Sequence, residues 1–214
     1  MKSVRFLRHA ESAANAGLPT SDPGEIPLTE AGRVAANFAA RDYDAPPPDL
    51  IVVSPFRRAR ETAAPFRTRF ATALVEEWPV QEFTYLSPAR FGASTAEERR
   101  PSVESYWRTA TPETNDGPGA ESFKDFIARV QTALENLRGR SERSVLVVCH
   151  EMVIKAAMWL ETRKPDFNAA QAPQDFREFS LTITIPNLGK WELHIRRNLQ
   201  NSLNHRLLRR ARRR

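Results

Sequence analysis

The chain has 214 residues and a single cysteine, Cys149, which predicts one domain, or one domain with a modest insertion. One cysteine excludes an intramolecular disulfide and a cysteine-based zinc site. The net charge of +6 would suggest a nucleic-acid binder, but six arginines lie in the last ten residues, HRLLRRARRR. Without that tail the basic and acidic residues are equal in number at 26 each, so the rest of the chain is electrically balanced.

The two ends of the chain support a simple division. The start, MKSVRFLRHA, has no apolar stretch long enough for a signal peptide or a membrane span, so we expect a soluble, cytoplasmic protein. We predict a domain at residues 1–204 and an Arg-rich tail at residues 205–214. The tail is either a solvated chain end or a contact for an anionic partner such as nucleic acid, a membrane surface or an acidic protein.

Strand-like and helix-like segments alternate along the chain. Short apolar runs predict strands, and apolar residues three and four positions apart predict helices. Thr29 is a suitable N-cap for the first helix, and Pro55 suits the first position of the second, which starts at Ser54. In chain order we predict strand 3–7, helix 30–41, strand 50–53, helix 55–70, strand 73–75, helix 122–137, strand 144–149 and helix 152–160.

This order predicts an α/β fold with three layers, in which a mostly parallel sheet is flanked by helices. Alternating apolar residues at 179–185 and 191–195, with a turn near residues 187–189, predict a C-terminal β-hairpin at the sheet edge. Residues 87–121 interrupt the pattern, because they are rich in polar and turn-forming residues. We interpret them as an insertion near the pocket that could act as a lid.

Three predicted strands end in residues that are costly to bury. The first is followed by Arg8 and His9, the second by Ser54 with Arg58 close behind, and the fourth by His150. Ligands of open parallel sheets bind at the carboxyl ends of strands. If these strands are neighbours, their imidazoles and guanidiniums converge and repel one another unless an anion lies between them. Arginine forks, imidazoles and helix N-termini suit a phosphate.

These residues resemble those of the histidine phosphatase superfamily (phosphoglycerate mutase-like). The family's Arg-His-Gly-Glu signature reads RHAE at residues 8–11, and Asn15 stands in its usual place. One such match is weak, but five blocks in the family's order across most of the chain are specific. The other four are LTEAGRVAA at 28–36, SPFRRARETA at 54–63, GAESFKDFIARV at 119–130 and VVCHEMVIKA at 147–156.

Two places depart from the family's pattern. Ala10 replaces the usual glycine after the first histidine, which is a small change. Glu151 and Met152 follow the second histidine, where the family often has glycines. These larger side chains could reshape the pocket and therefore bear on the choice of substrate.

The resemblance implies a phosphomonoester hydrolase that uses neither a metal nor a cofactor. His9 would attack phosphorus as a neutral imidazole and form a phosphohistidine, which water would then hydrolyse. Arg8, Arg58 and His150 would bind the nonbridging oxygens and neutralise charge in the transition state, and Asn15 could add a neutral donor. The substrate would be a phosphorylated small molecule or a phosphoprotein.

The departing alcohol needs a proton, so a carboxylic acid should lie near the nucleophile. The candidates are Glu11, Glu76, Glu77 and Glu82. In the resembling family the acid follows the third strand by a few residues. This placement favours Glu82, with Glu77 next.

Two other functions fit the same residues. A phosphoglycerate-type mutase would share the site, but its acid block commonly runs into an aromatic-glycine pair, whereas this chain reads EFTYLSP at residues 82–88. A catalytically weak module that binds phospho-ligands, with the tail as a docking element, is the other alternative. A cysteine phosphatase is disfavoured, because the position six residues after Cys149 is Lys155 and not arginine.

Overall fold

The computed structural model describes residues 1–196, which form one sheet between two layers of helices. The strands span Lys2–Arg8 (β1), Leu50–Val53 (β2), Leu74–Glu77 (β3), Ser144–Cys149 (β4) and Lys190–Ile195 (β5). The helices span Glu30–Arg41 (α1), Arg57–Arg69 (α2), Ala96–Thr109 (α3), Phe123–Gly139 (α4), Glu151–Arg163 (α5) and Ala172–Leu181 (α6), and a 3-10 turn covers Pro88–Arg90. The strand order is β3-β2-β4-β1-β5.

The predicted three-layer α/β fold is confirmed. Strands β1 to β4 are parallel, and β5 pairs with β1 in the antiparallel direction. Along β4, Val145 and Val147 face the core formed with α4 and α5, whereas Leu146 and Val148 face the core formed with α1 and α2. Because helices cover both faces of the central strands, these strands are continuous apolar runs in the sequence.

The predicted C-terminal hairpin is wrong in its first strand. Residues 179–181 belong to α6, whose buried residues Ala172, Phe176 and Ser180 have helical four-residue spacing. The helical spacing of this buried face prevails over the short alternating pattern at its end. The turn is present, with the Gly189 N–H bonded to the Pro186 carbonyl at 2.8 Å, but only β5 follows it in the sheet.

Residues 87–121 contain more regular structure than we predicted. Helix α3 lies within them, and it begins with a capping box in which Thr95 and Glu98 satisfy each other's backbone N–H groups. Its residues Tyr106 and Trp107 are buried among the rings of Phe83 and Tyr85. The segment therefore packs on the chain that follows β3, and its action as a lid stays a prediction.

Strand β3 and helix α2 have boundaries that differ from the prediction, and both differences affect the site. Strand β3 reaches Glu77, where it pairs with Val53, so Glu77 is a strand residue and does not lie in the following loop. Helix α2 begins at Arg57 and not at Ser54, because the Ser54 hydroxyl accepts the Phe56 N–H at 3.2 Å in a local turn.

The Arg-rich tail at residues 205–214, and residues 197–204 of the predicted domain, lie outside the described residues. Within residues 1–196, no helix is both long and apolar enough to cross a membrane.

Helix α1 approaches the loop after β1 very closely at Gly32. A Cβ atom at Gly32 would lie 2.1 Å from the carbonyl oxygen of Glu11, well inside contact distance. That carbonyl also accepts the Thr29 N–H at 3.0 Å. The glycine therefore allows α1 to pack directly on the backbone that follows His9.

We expect Gly32→Ala to lower the free energy of unfolding by about 1–3 kcal/mol, because the new methyl group overpacks a backbone contact. Urea denaturation measures the change. The control is Gly139→Ala at the end of α4, where a Cβ meets no atom within 4 Å; it should be neutral or stabilising. Equal stabilities of Gly32→Ala and wild type would show that this contact is not tight.

Candidate active site

The carboxyl ends of β2, β4 and β1 bring the predicted residues together. These strands are neighbours in the sheet. Arg8 is in register with Cys149, and the His9 N–H donates to the Cys149 carbonyl at 3.0 Å. The rings of His9 and His150 consequently lie 5.1 Å apart between centroids.

His9 is buried and held in one tautomer. Its Nδ1 lies 2.7 Å from the carbonyl oxygen of Ala10, which can only accept, so Nδ1 carries the proton. Its Nε2 accepts the Nε–H of Arg58 at 3.1 Å, so that nitrogen presents a lone pair. Burial, with the nearby charges of Arg58 and Arg8, lowers the pKa of His9 to about 3. The imidazole is therefore neutral at physiological pH.

Arg58 is a buried cation without a carboxylate partner in residues 1–196. Its Nη1 donates to the Pro23 carbonyl at 2.6 Å, and its guanidinium lies 5.0 Å from the ring centre of Phe56. Burial lowers the pKa of Arg58 to about 10, and the charge of Glu82 opposes this decrease. Arg58 thus stays charged at neutral pH and is available to an anion.

His150 is the N-cap residue of α5, its side chain forms no capping bond, and it is completely buried. Its Nε2 lies 2.7 Å from the Ser54 hydroxyl, which can donate to it and leave the proton on Nδ1. Burial, with the positive charge of Arg58, holds the pKa of His150 well below its usual range. The buried Nδ1 of His150 and the buried Nε of Arg8 have no hydrogen-bond partner in residues 1–196. Both groups can therefore donate a hydrogen bond to a ligand at this end of the sheet.

Arg8 is fixed by a chain of charges that the sequence did not reveal. Its Nη1 donates to the Ile185 carbonyl at 2.6 Å and pairs with Glu151 at 3.0 Å. The other carboxylate oxygen of Glu151 pairs with buried Lys155 at 2.6 Å. The only sequence signal was the four-residue spacing of Glu151 and Lys155 on one helix. Glu151, which stands where the family often has glycine, therefore supplies an ion-pair partner for Arg8.

Glu82 is the candidate acid that the structure places at the site. It lines a cavity together with Arg58, and its Oε1 accepts the N–H groups of Phe83 at 3.0 Å and Met152 at 3.2 Å. Burial raises the pKa of Glu82, while Arg58 and the Phe83 N–H oppose the increase. A raised pKa favours the protonated form that a general acid needs.

The other three carboxylates have different surroundings. Glu77 is exposed on β3. Glu76 forms an ion pair with Arg140 at 2.6 Å. Glu11 accepts the hydroxyl of Thr29, the N-cap of α1, at 2.7 Å, which matches a structural role at that helix end.

The loop that carries Glu82 is held by Glu121 and Arg129, which we did not predict as site residues. Arg129 forms a two-pronged pair with Glu121 at 2.6 and 2.8 Å and also reaches the Glu82 carbonyl at 3.4 Å. The Glu121 N–H donates to the Thr84 carbonyl at 2.9 Å. The block at residues 119–130 thereby holds the loop that carries the candidate acid, Glu82.

Asn15 lies at the margin of the site. It is exposed, and its Oδ1 accepts from the Ser12 N–H and from Asn187, each at 3.1 Å. Asn187 also donates to the His9 carbonyl at 3.0 Å. Asn15 is therefore connected to the backbone of His9. Its own amide nitrogen makes no hydrogen bond within residues 1–196 and can donate to a ligand.

The geometry defines an α/β protein with a buried neutral imidazole, two arginines and a carboxyl group of raised pKa at one end of its sheet. A family model for the histidine phosphatase superfamily (branch 1) matches residues 4–198. The chain belongs to this superfamily, as the resemblance predicted.

The chain is also similar to individual proteins and to a solved structure. The chain is 28% identical over 162 residues to "Putative phosphoserine phosphatase 2" of Hydrogenobacter thermophilus, covering 76% of this chain and 79% of that protein. It is 30% identical over 159 residues to an uncharacterized protein of Mycobacterium tuberculosis, covering 71% and 74%. The mycobacterial glucosyl-3-phosphoglycerate phosphatase has the same fold, with a TM-score of 0.67, 23% identity and 89% of each chain covered.

The depressed pKa of His9 predicts how stability depends on pH. An unfolded histidine takes up a proton below about pH 6.5, whereas folded His9 does so only near pH 3. Between these two pKa values the unfolded state binds more protons than the folded state, so the free energy of unfolding should decrease as the pH is lowered. We expect His9→Asn to reduce the slope of unfolding free energy by up to about 1.4 kcal/mol per pH unit between about pH 4 and 5.5. Urea denaturation in phosphate-free buffers measures it, and an unchanged slope would contradict the depressed pKa.

Proposed function

We propose that the protein is a metal-independent phosphomonoester hydrolase that acts through a phosphohistidine at His9. The observation that carries the proposal is the hydrogen bond from Arg58 to His9 Nε2, because it requires a lone pair on a neutral imidazole nitrogen next to a buried cation. A nucleophile must present a lone pair, and a phosphoryl group needs compensating positive charge. Both are supplied at one point by this chain's own side chains.

The first half-reaction transfers the phosphoryl group to the protein. The Nε–H of Arg58 turns from His9 Nε2 to a nonbridging oxygen of the substrate. The lone pair that this releases on Nε2 forms a bond to phosphorus while the bond from phosphorus to the ester oxygen breaks. The electron pair of that bond stays with the ester oxygen, which takes a proton from the carboxylic acid of Glu82 and leaves as an alcohol.

The second half-reaction uses the same groups in reverse. The Glu82 carboxylate removes a proton from a water molecule as the water oxygen attacks phosphorus. The bond from phosphorus to Nε2 breaks, so inorganic phosphate leaves and His9 regains its lone pair. In both steps Arg8, Arg58 and the Nδ1–H of His150 would bind the nonbridging oxygens, and Asn15 could donate at the margin.

Hydrolysis is favoured over the alternatives by the relatives and by the geometry. The relative from Hydrogenobacter thermophilus and the mycobacterial structural neighbour are both named as phosphatases of phosphorylated small molecules. We infer the same broad class of substrate for this chain. A module that only binds phospho-ligands would have no need for a nucleophilic imidazole, or for a buried carboxyl group with a raised pKa beside the same arginine.

We expect His9→Ala to abolish hydrolysis of an aryl phosphate assayed with a chelator present. In wild type, rapid acid-free quenching with a radiolabelled substrate should trap label on the protein, and this label should be lost in the variant. The control is His194→Ala, an exposed position on β5, which should keep wild-type turnover. Full activity of His9→Ala would exclude the mechanism.

A second pair of variants decides the identity of the acid. We expect Glu82→Gln to lower kcat/KM for an alkyl phosphate by about 100-fold or more, and to lower kcat/KM for 4-nitrophenyl phosphate much less. This parameter reports the steps through release of the alcohol, and 4-nitrophenolate departs without a proton. Glu77→Gln, at an exposed position, is the matched control and should retain wild-type kcat/KM for both. The reverse pattern would assign the acid to Glu77.

A further inference from the structure

The cavity beside the proposed nucleophile combines charged side chains with a largely apolar wall. It has a volume of about 180 Å³ and contains Arg58 and Glu82 on its lining, together with a second arginine, Arg99 of α3. The remaining walls are largely apolar and include Ile26, Phe83, Tyr85, Leu86, Phe91 and Val103. A ligand that reaches from Glu82 to Arg99 must therefore pass a predominantly apolar surface.

Arg99 is anchored on one side only. Its Nη1 donates to the Ser94 carbonyl at 2.6 Å, to the Ser94 hydroxyl at 2.9 Å and to the Thr20 carbonyl at 3.4 Å. Its Nε and Nη2 make no hydrogen bond within residues 1–196, and neither is sealed from solvent. These anchors hold the guanidinium through Nη1 and leave the N–H groups of two nitrogens, Nε and Nη2, available.

No carboxylate among residues 1–196 forms an ion pair with Arg99. The adjacent Glu98 turns away and accepts the Thr95 N–H at 2.7 Å. By contrast, the next residue, Arg100, is exposed and pairs with Glu97 at 2.8 Å. An arginine that is oriented, unpaired and part of a cavity wall suits an anionic ligand group, which its fork can bind through two hydrogen bonds.

We propose that Arg99 determines substrate specificity by binding a second anionic group, a carboxylate or a further phosphate, on the leaving group of the phosphomonoester. This inference rests on the proposed hydrolase function. The substrate class is an organic phosphate whose alcohol portion has an apolar surface and a distal anion. The phosphoryl group lies by Arg58 and His9, and the distal anion lies by Arg99.

The test compares phenyl phosphate with 4-carboxyphenyl and 4-(carboxymethyl)phenyl phosphate in wild type, Arg99→Gln and Arg100→Gln. The measured quantity is the ratio of kcat/KM for each carboxylated substrate to that for phenyl phosphate. Comparing this ratio between proteins cancels the effect of the carboxylate on leaving-group chemistry. Glutamine keeps an N–H donor for the Thr20 and Ser94 carbonyls, and Arg100→Gln removes the neighbouring charge outside the cavity.

We expect Arg99→Gln to lower the ratio for at least one carboxylated substrate by about tenfold or more, the value of a hydrogen bond to a charged group. Phenyl phosphate should be hydrolysed at the wild-type rate, and Arg100→Gln should keep the wild-type ratio. Equal ratios in all three proteins for both substrates would overturn the proposal. Should Arg99→Gln fail to fold, Arg99→Lys replaces it, and an unchanged ratio there would overturn recognition by the guanidinium fork.

A binding measurement separates this inference from the proposed hydrolase function. In His9→Ala, titration calorimetry compares the affinities of the same three compounds, with and without Arg99→Gln. If wild type hydrolyses none of them, the hydrolase proposal fails, and binding alone decides the role of Arg99. Tighter binding of a carboxylated compound that disappears with Arg99→Gln supports the subsite, and equal binding of all three overturns it.

Discussion

The hydrogen bond between Arg58 Nε and His9 Nε2 is the interaction on which the site depends. A guanidinium can only donate, so this contact requires a lone pair on the imidazole nitrogen, and the Ala10 carbonyl fixes the proton on the other nitrogen. Both side chains are nearly excluded from water. A protonated His9 would place two buried cations in contact, so the guanidinium of Arg58 keeps the imidazole of His9 neutral.

The ion-pair chain of Arg8, Glu151 and Lys155 shows how a departure from the family pattern can be accommodated. Glu151 adds one negative charge between two cations, so the surroundings of Arg8 stay positive while the guanidinium is held in place. Met152 contributes its backbone N–H to Glu82, a bond that any residue except proline could form. The two positions that seemed most disruptive in the sequence thus connect the second histidine block to a cation and an acid.

Site residues that belong to a local sequence pattern could be predicted, whereas site residues that are held by contacts between distant parts of the chain could not. Strand ends at Arg8, Ser54 and Cys149 could be located because apolar runs stop abruptly there, and parallel pairing then places them side by side. The Arg129–Glu121 pair was not predicted, because it joins a helix residue to the loop before that helix, and no local pattern in the sequence indicates such a contact. Helix α3 was missed although its capping box is visible at TAEE, since polar composition dominated the interpretation. The false strand at 179–185 arose from alternation too short to outweigh helical packing.

The two arginines of the cavity share an unusual dependence on the main chain. Pro23 holds Arg58, and Thr20 helps to hold Arg99, in each case through a carbonyl oxygen. Every amino acid carries that group, so the side chains of this loop can diverge during evolution while the orientation of both guanidiniums is preserved. Comparison of residue identities among relatives would then class the loop as variable and neutral. Selection would maintain the length and backbone path of this loop and not the identities of its residues.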